Sequence, residues 1–104
     1  MAETTRKMPV KSKEITLKDE PFANWHFTAR MNPPLGVFFD IASADLERIS
    51  KGMARILLAW DFPDEEGNPL PPPNAEVVND NVTSELMNVI ASAWLDEMTA
   101  IPPA

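Results

Sequence analysis

The sequence predicts a small α+β domain: an N-terminal β-hairpin followed by three to four α-helices, with a proline-rich loop between the last two main helices. Three observations carry this. Apolar and polar residues alternate over two short segments before residue 32, which is the period of a half-buried strand. Apolar residues then recur at helical spacing over 44–60 and again over 82–99. Between these helices, the segment DFPDEEGNPLPPP (61–73) holds five of the chain's eleven prolines and excludes regular structure.

In the hairpin, EITLK (14–18) sets Ile15 and Leu17 against polar neighbours. Asp19-Glu20-Pro21 reads as a turn. In FANWHFTARM (22–31), Trp25, Phe27, Ala29 and Met31 fall on one face, and Asn24, His26, Thr28 and Arg30 on the other. A lone hairpin is marginal in water, so this one has to pack on helices or pair with another chain. Asn32-Pro33-Pro34 ends the strand. LGVFFDIA (35–42) places Leu35, Phe38, Phe39 and Ala42 at helical spacing, although its shortness and Gly36 leave a strand open.

Ser43 is the expected N-cap of the next helix, with Asp45 and Glu47 near its positive end. Leu46, Ile49, Met53, Ile56, Leu57 and Trp60 form the apolar stripe of that helix, expected over about 44–60. Pro71–Pro73 favour an extended polyproline arm. Asn74 caps a short turn over 74–79, and Asn81 the last helix, 82–99. That helix carries Leu86, Val89, Ile90 and Ala93 on one stripe, and Met87, Ile90, Trp94 and Met98 on another. Either it is a fully packed central helix, or one stripe faces a partner. Ile101-Pro102-Pro103-Ala104 ends both helix and chain.

The 104 residues fit one domain at 14–104 behind a flexible basic tail, 1–13. Residues 1–18 hold five bases and two acids. Beyond Arg55 there are nine acids and no Lys or Arg, and the whole chain carries −7. Such a field repels nucleic acid, whose binding needs basic side chains on phosphates. Rows of carboxylates mimicking nucleic acid are not the pattern either, because the acids cluster at a turn. No apolar run approaches the ~20 residues of a membrane helix, and the N-terminus lacks the apolar core of a secretory signal.

Catalytic and metal chemistry find no foothold. With no cysteine and one histidine, His26, thiolate and multi-histidine metal sites and cysteine nucleophiles are excluded. The acidic loop fails as a calcium loop in both registers: from Asp61, Pro63 and Pro72 occupy ligand positions, and from Asp64, Ala75 occupies the twelfth. Three scattered glycines make no phosphate loop, and no serine sits in a nucleophile elbow. The expectation is a non-enzyme without catalytic, cofactor-binding or metal-binding residues.

The stretch ILLAWDFPDEEGNPLP (56–71) resembles the signature of siphophage tail assembly chaperones. In that family an amphipathic helix ends in Trp, Asn or Asp, and an aromatic or aliphatic residue. An acidic D-E-x-G turn and a P-L-P exit follow, and a C-terminal helix completes the chain. The matching positions are Trp60, Asp61, Phe62, Asp64, Glu65, Gly67, Pro69, Leu70 and Pro71, with Asp61 in place of the commoner Asn. ARMNPPLGVFFDI (29–41) is similar to the family's strand-to-helix junction.

The resemblance implies a small acidic protein of the host cell cytoplasm, absent from the mature virion. Such proteins keep the phage tape measure protein soluble, help recruit tail tube protein, and often have a longer form made by frameshifting. Self-association into a homo-oligomer fits the same role. A permanent virion component, such as a head–tail connector or tail completion protein, is the alternative. Six methionines supply adaptable contacts for helical partners. Met87, Trp94 and Met98 are the candidate partner-binding residues on the last helix. Trp60 and Phe62 are candidate anchors at the loop, although Trp60 also reads as a plug clamping the loop onto the helix.

Overall fold

In the computed structural model, residues 7–99 are described. Residues 1–6 of the expected flexible tail (1–13) and the helix-ending segment Ile101–Ala104 lie outside them. The element order is β1 (Ser12–Thr16), β2 (His26–Arg30), α1 (Leu35–Ala42), α2 (Leu46–Ile56), β3 (Leu57–Trp60), α3 (Ala75–Asn81) and α4 (Ser84–Thr99). This is the expected α+β class, with a hairpin and four helices.

β1 and β2 pair antiparallel, Ile15 opposite Phe27 and Lys13 opposite Ala29. Their alternation does what the sequence predicts: Ile15, Leu17, Phe27 and Ala29 are buried, while Glu14, Thr16 and Thr28 face away from the core. At the hairpin end Asn24 takes φ 71, a left-handed conformation that Asn tolerates better than most residues. The strand begins earlier than residue 14. Lys11 accepts from the Met31 N–H at 2.7 Å. Asn32 reaches back to accept from Lys11 N–H and donate to the Pro9 carbonyl. From Pro9 onward the basic segment is therefore tied to the end of β2.

The helix expected over 44–60 ends at Ile56, and Leu57–Trp60 form a third strand antiparallel to β2. The sheet order is β1-β2-β3. Leu57 turns the chain with ψ 125 and buries its side chain beside Ala29. The partner the hairpin needed comes from within the chain. The register shifts between Thr28 and Ala29, leaving Leu58 as an extra residue that bulges outward, half exposed.

Two caps also differ from expectation. Asp45, not Ser43, caps α2: its carboxylate accepts from Glu47 and Arg48 N–H. The Ser43 hydroxyl instead donates to the Asp40 carbonyl at the end of α1. Thr83, not Asn81, caps α4, accepting from Leu86 N–H at 3.1 Å. Asn81 lies within α3, which Asn74 caps as expected, accepting from Val77 N–H.

The α1–α2 pair sets which side of α1 is inside. Gly52 faces α1 so closely that a Cβ there would lie 2.7 Å from Ile41 Cγ1 and 3.2 Å from the Val37 carbonyl oxygen. Val37 and Ile41 are accordingly buried. An Arg48–Asp40 ion pair at 3.0 Å closes the same contact. Gly52→Ala is expected to lose stability despite alanine's better helix propensity, since overpacking costs about 1–3 kcal/mol against roughly 1 gained. Urea unfolding of the two proteins measures the difference.

Candidate functional site

The five candidate residues fall into two groups, and most are inside. Phe62 has no exposed surface and sits at the centre of an aromatic cluster. Its ring centroid lies 5.0 Å from Trp60, 5.5 Å from Trp25 and 6.4 Å from Phe27, and Phe22 joins through Trp25 at 5.0 Å. The half-buried Trp60 stacks on Phe62, and its indole N–H donates to the Pro71 carbonyl at 2.8 Å. Trp60 thus acts as the plug that clamps the proline arm.

The loop between is a tight return. Leu70 N–H donates to the Phe62 carbonyl, and Asp64 N–H to Asn68. The Asp64 carboxylate accepts from Glu66 and Asn68 N–H. Gly67 takes φ 88, the left-handed conformation its place in the turn demands.

On α4, Trp94 is fully buried and Met87 nearly so. The Trp94 indole N–H donates to the Arg30 carbonyl at 2.9 Å, and its ring lies 6.0 Å from Phe38. Met98 is only partly buried, packed against the core's edge. Of the two arrangements open for α4, a division into one core stripe and one interface stripe is not what forms: Leu86, Met87, Ile90, Ala91 and Trp94 are all buried. The core takes Leu86 and Ile90 of one stripe and Met87, Ile90 and Trp94 of the other, and leaves Val89, Ala93 and Met98 partly buried at its edge. Of the candidates, only Trp60 and Met98 keep side-chain surface for a partner.

The exposed apolar surface lies elsewhere. Leu35 is 71% exposed and Phe39 56% exposed, one turn apart on the outer side of α1, with Ala42 continuing the stripe. Phe39 packs edge-on to Phe38 at 6.0 Å, and Phe38 in turn touches Trp94. The outer stripe therefore rests on the core through a chain of aromatic rings. Leu46, at the start of α2, is 40% exposed and stands at the rim of a groove of about 560 Å³ between α2 and the α3–α4 corner. Val78, Val82 and Met87 line the groove. Leu35, Phe39 and Ala42 belong to the helical repeat expected of α1, but Val37 and Ile41 on its other side are apolar as well. Only the Gly52 contact reveals which side is left over.

The single histidine joins a polar bridge across the sheet. His26 Nδ1 and Asp61 Oδ2 are 2.7 Å apart, and the same carboxylate accepts from His26 N–H at 2.7 Å. Partial burial pushes the Asp61 carboxyl up. The His26 backbone and ring hydrogen bonds and the imidazole charge outweigh that and hold it below the ordinary carboxylate value. Among the described residues, no group of three histidine, cysteine or acidic side chains is placed to hold a metal ion, and no helix is long and apolar enough to cross a membrane.

Two outcomes follow. Trp94→Ala is expected to cost about 3–5 kcal/mol, whereas Met98→Ala costs less than about 1 kcal/mol, both read from denaturant midpoints. The folded state favours ionised Asp61, so its contribution is complete above the unfolded-state value near ~3.9 and is lost as pH falls through the lower folded value. Acid titration of stability is therefore expected to be shallower below about pH 4 in Asp61→Asn than in the native chain. None of the protein-family models, curated proteins or solved structures compared with the chain matches it.

Proposed function

We propose that this chain is a phage tail assembly chaperone, which binds the exposed helical surface of the tape measure protein, keeps it soluble and helps bring tail tube protein to it. It makes and breaks no bond. Two kinds of observation support the reading. The first is the motif over 56–71. Its residues form one unit here: Trp60 and Phe62 hold the returning proline arm, and Asp64 and Gly67 shape its turn. That unit organises the domain, which accounts for a recognisable motif without making it the contact surface.

The second, which carries the proposal, is the outer stripe of α1. Leu35 and Phe39 are large apolar side chains left mostly in water, at the i, i+4 spacing that meets a partner helix. An unenclosed tape measure chain displays apolar helix that aggregates unless it is covered. A stripe two turns long covers part of such a helix and releases it when the tube assembles. The nine acids beyond Arg55 keep loaded complexes apart and favour lysines flanking the partner's apolar patches.

Co-expression tests this. Tape measure protein is expected to stay soluble with the native chain and to precipitate with the Leu35→Ser, Phe39→Ser double variant. The thermal midpoint of that variant should stay close to native, because neither side chain belongs to the core. Equal solubilisation by the two proteins would remove α1 as the contact surface. The chain in stoichiometric amounts within purified particles would instead favour the permanent virion component.

A further inference from the structure

We propose that the free edge of β1 is the interface of a two-fold dimer, in which two copies pair antiparallel to make one six-stranded sheet. Among the described residues, this is the open one of the sheet's two edges. Along β3 the ladder is broken by the Leu58 bulge, and the proline arm lies against the strand's end, with Leu70 N–H on Phe62 and Pro71 on the Trp60 indole. Prolines offer no N–H to an incoming strand.

β1 is different. Met31 N–H donates to Lys11, and Leu17 N–H to Trp25, so the odd-numbered residues from Lys11 to Leu17 turn their backbone groups toward β2. The even-numbered Ser12, Glu14 and Thr16 turn theirs outward, and Lys18 continues the alternation. All four are exposed, and the strand has no second neighbour among the described residues. Beside this edge runs a groove of about 350 Å³, with α4 as its other wall, where Val89 and Ala93 are half-buried. The Lys13–Glu97 ion pair joins strand and helix at one end.

The sequence of the edge identifies a second copy as the occupant. The outward backbone groups allow few antiparallel registers. Centring the two-fold on Glu14 sets two carboxylates opposite each other, which is destabilising. Centring it on Thr16 places Glu14 opposite Lys18 of the mate and Lys18 opposite the mate's Glu14. Thr16 then faces its own copy, and Ile15 lies beside the mate's Leu17. Each copy thus supplies both charges of two equivalent ion pairs, as an isologous interface requires. The same pairing brings Val89 and Ala93 of the two α4 helices toward one seam. Lysines usually discourage strand edges from pairing, but in this register Lys18 meets an acid. The proposal does not depend on which partner the chain serves.

Sedimentation equilibrium tests it. The native chain is expected to dimerise reversibly. Glu14→Lys and Lys18→Glu, each placing like charges opposite at two points, should weaken the dimer at least about tenfold, and the combined exchange should restore it. A second measurement is independent of charge. The chain has no cysteine, and paired Thr16 Cα atoms would lie about 5.5 Å apart, within disulfide reach. Thr16→Cys should therefore cross-link to itself under oxidised glutathione, and Ser12→Cys should not. A native chain that stays monomeric at every concentration, charge exchange without restoration, or equal cross-linking at both positions would overturn the proposal.

Discussion

The hydrogen bond from the Trp94 indole to the Arg30 carbonyl is the contact around which the domain is arranged. It ties the last helix to the central strand across 64 residues of sequence. A buried indole N–H without a partner is costly, so this bond fixes both the depth and the rotation of α4. That rotation carries Met87, Ile90 and Ala91 inward. The same ring meets Phe38, which settles α1 against the helix, and Gly52 then brings α2 onto α1. The proline loop has its own anchor in Phe62 and Trp60, and the two aromatic assemblies meet at β2, where Phe27 touches the first and Arg30 the second.

Local signals explain what could be read from the chain. Alternation around Phe27 and Ala29 specified the hairpin and its inner face, and Asn74 announced the start of α3. Two of the differences share a physical cause: a segment that satisfies two arrangements at once. ILLAW (56–60) continues the helical spacing of α2 through Trp60, and it is equally a buried strand. Pairing with β2 decided between them, and that pairing joins residues about thirty positions apart. α1 is ambiguous in the same manner, because both Leu35–Phe39 and Val37–Ile41 make plausible core stripes. The missing side chain at Gly52 selects the second pair. Whether Trp94 and Met87 face inward on α4 was open in the sequence because their neighbours come from distant parts of it: Trp94 meets Arg30 on β2 and Phe38 on α1, and Met87 lines a groove with Leu46 and Val78.

These choices separate fold from recognition. The residues that carry the chaperone-like motif hold the loop and sheet together, and the apolar surface left over falls on a short outer helix supported by rings beneath it. Phe39 rests on Phe38, and Phe38 on Trp94, so the stripe is presented on a rigid base. Such a base lowers the ordering cost of binding. The β1 edge lies on a different element from the α1 stripe, so the proposed self-association and the proposed partner binding do not compete for one surface.

Trp94 and its neighbours hold the fold, and the outer side of α1 is the proposed contact with the partner. Amide hydrogen exchange of the chain, alone and bound to tape measure protein, tests it most directly. The α4 amides around Trp94 are expected to be strongly protected in the free chain and to change little on binding, with the gain in protection concentrated over residues 35–42. Rapid exchange around Trp94 in the free chain, or a gain confined to residues 87–98, would contradict it.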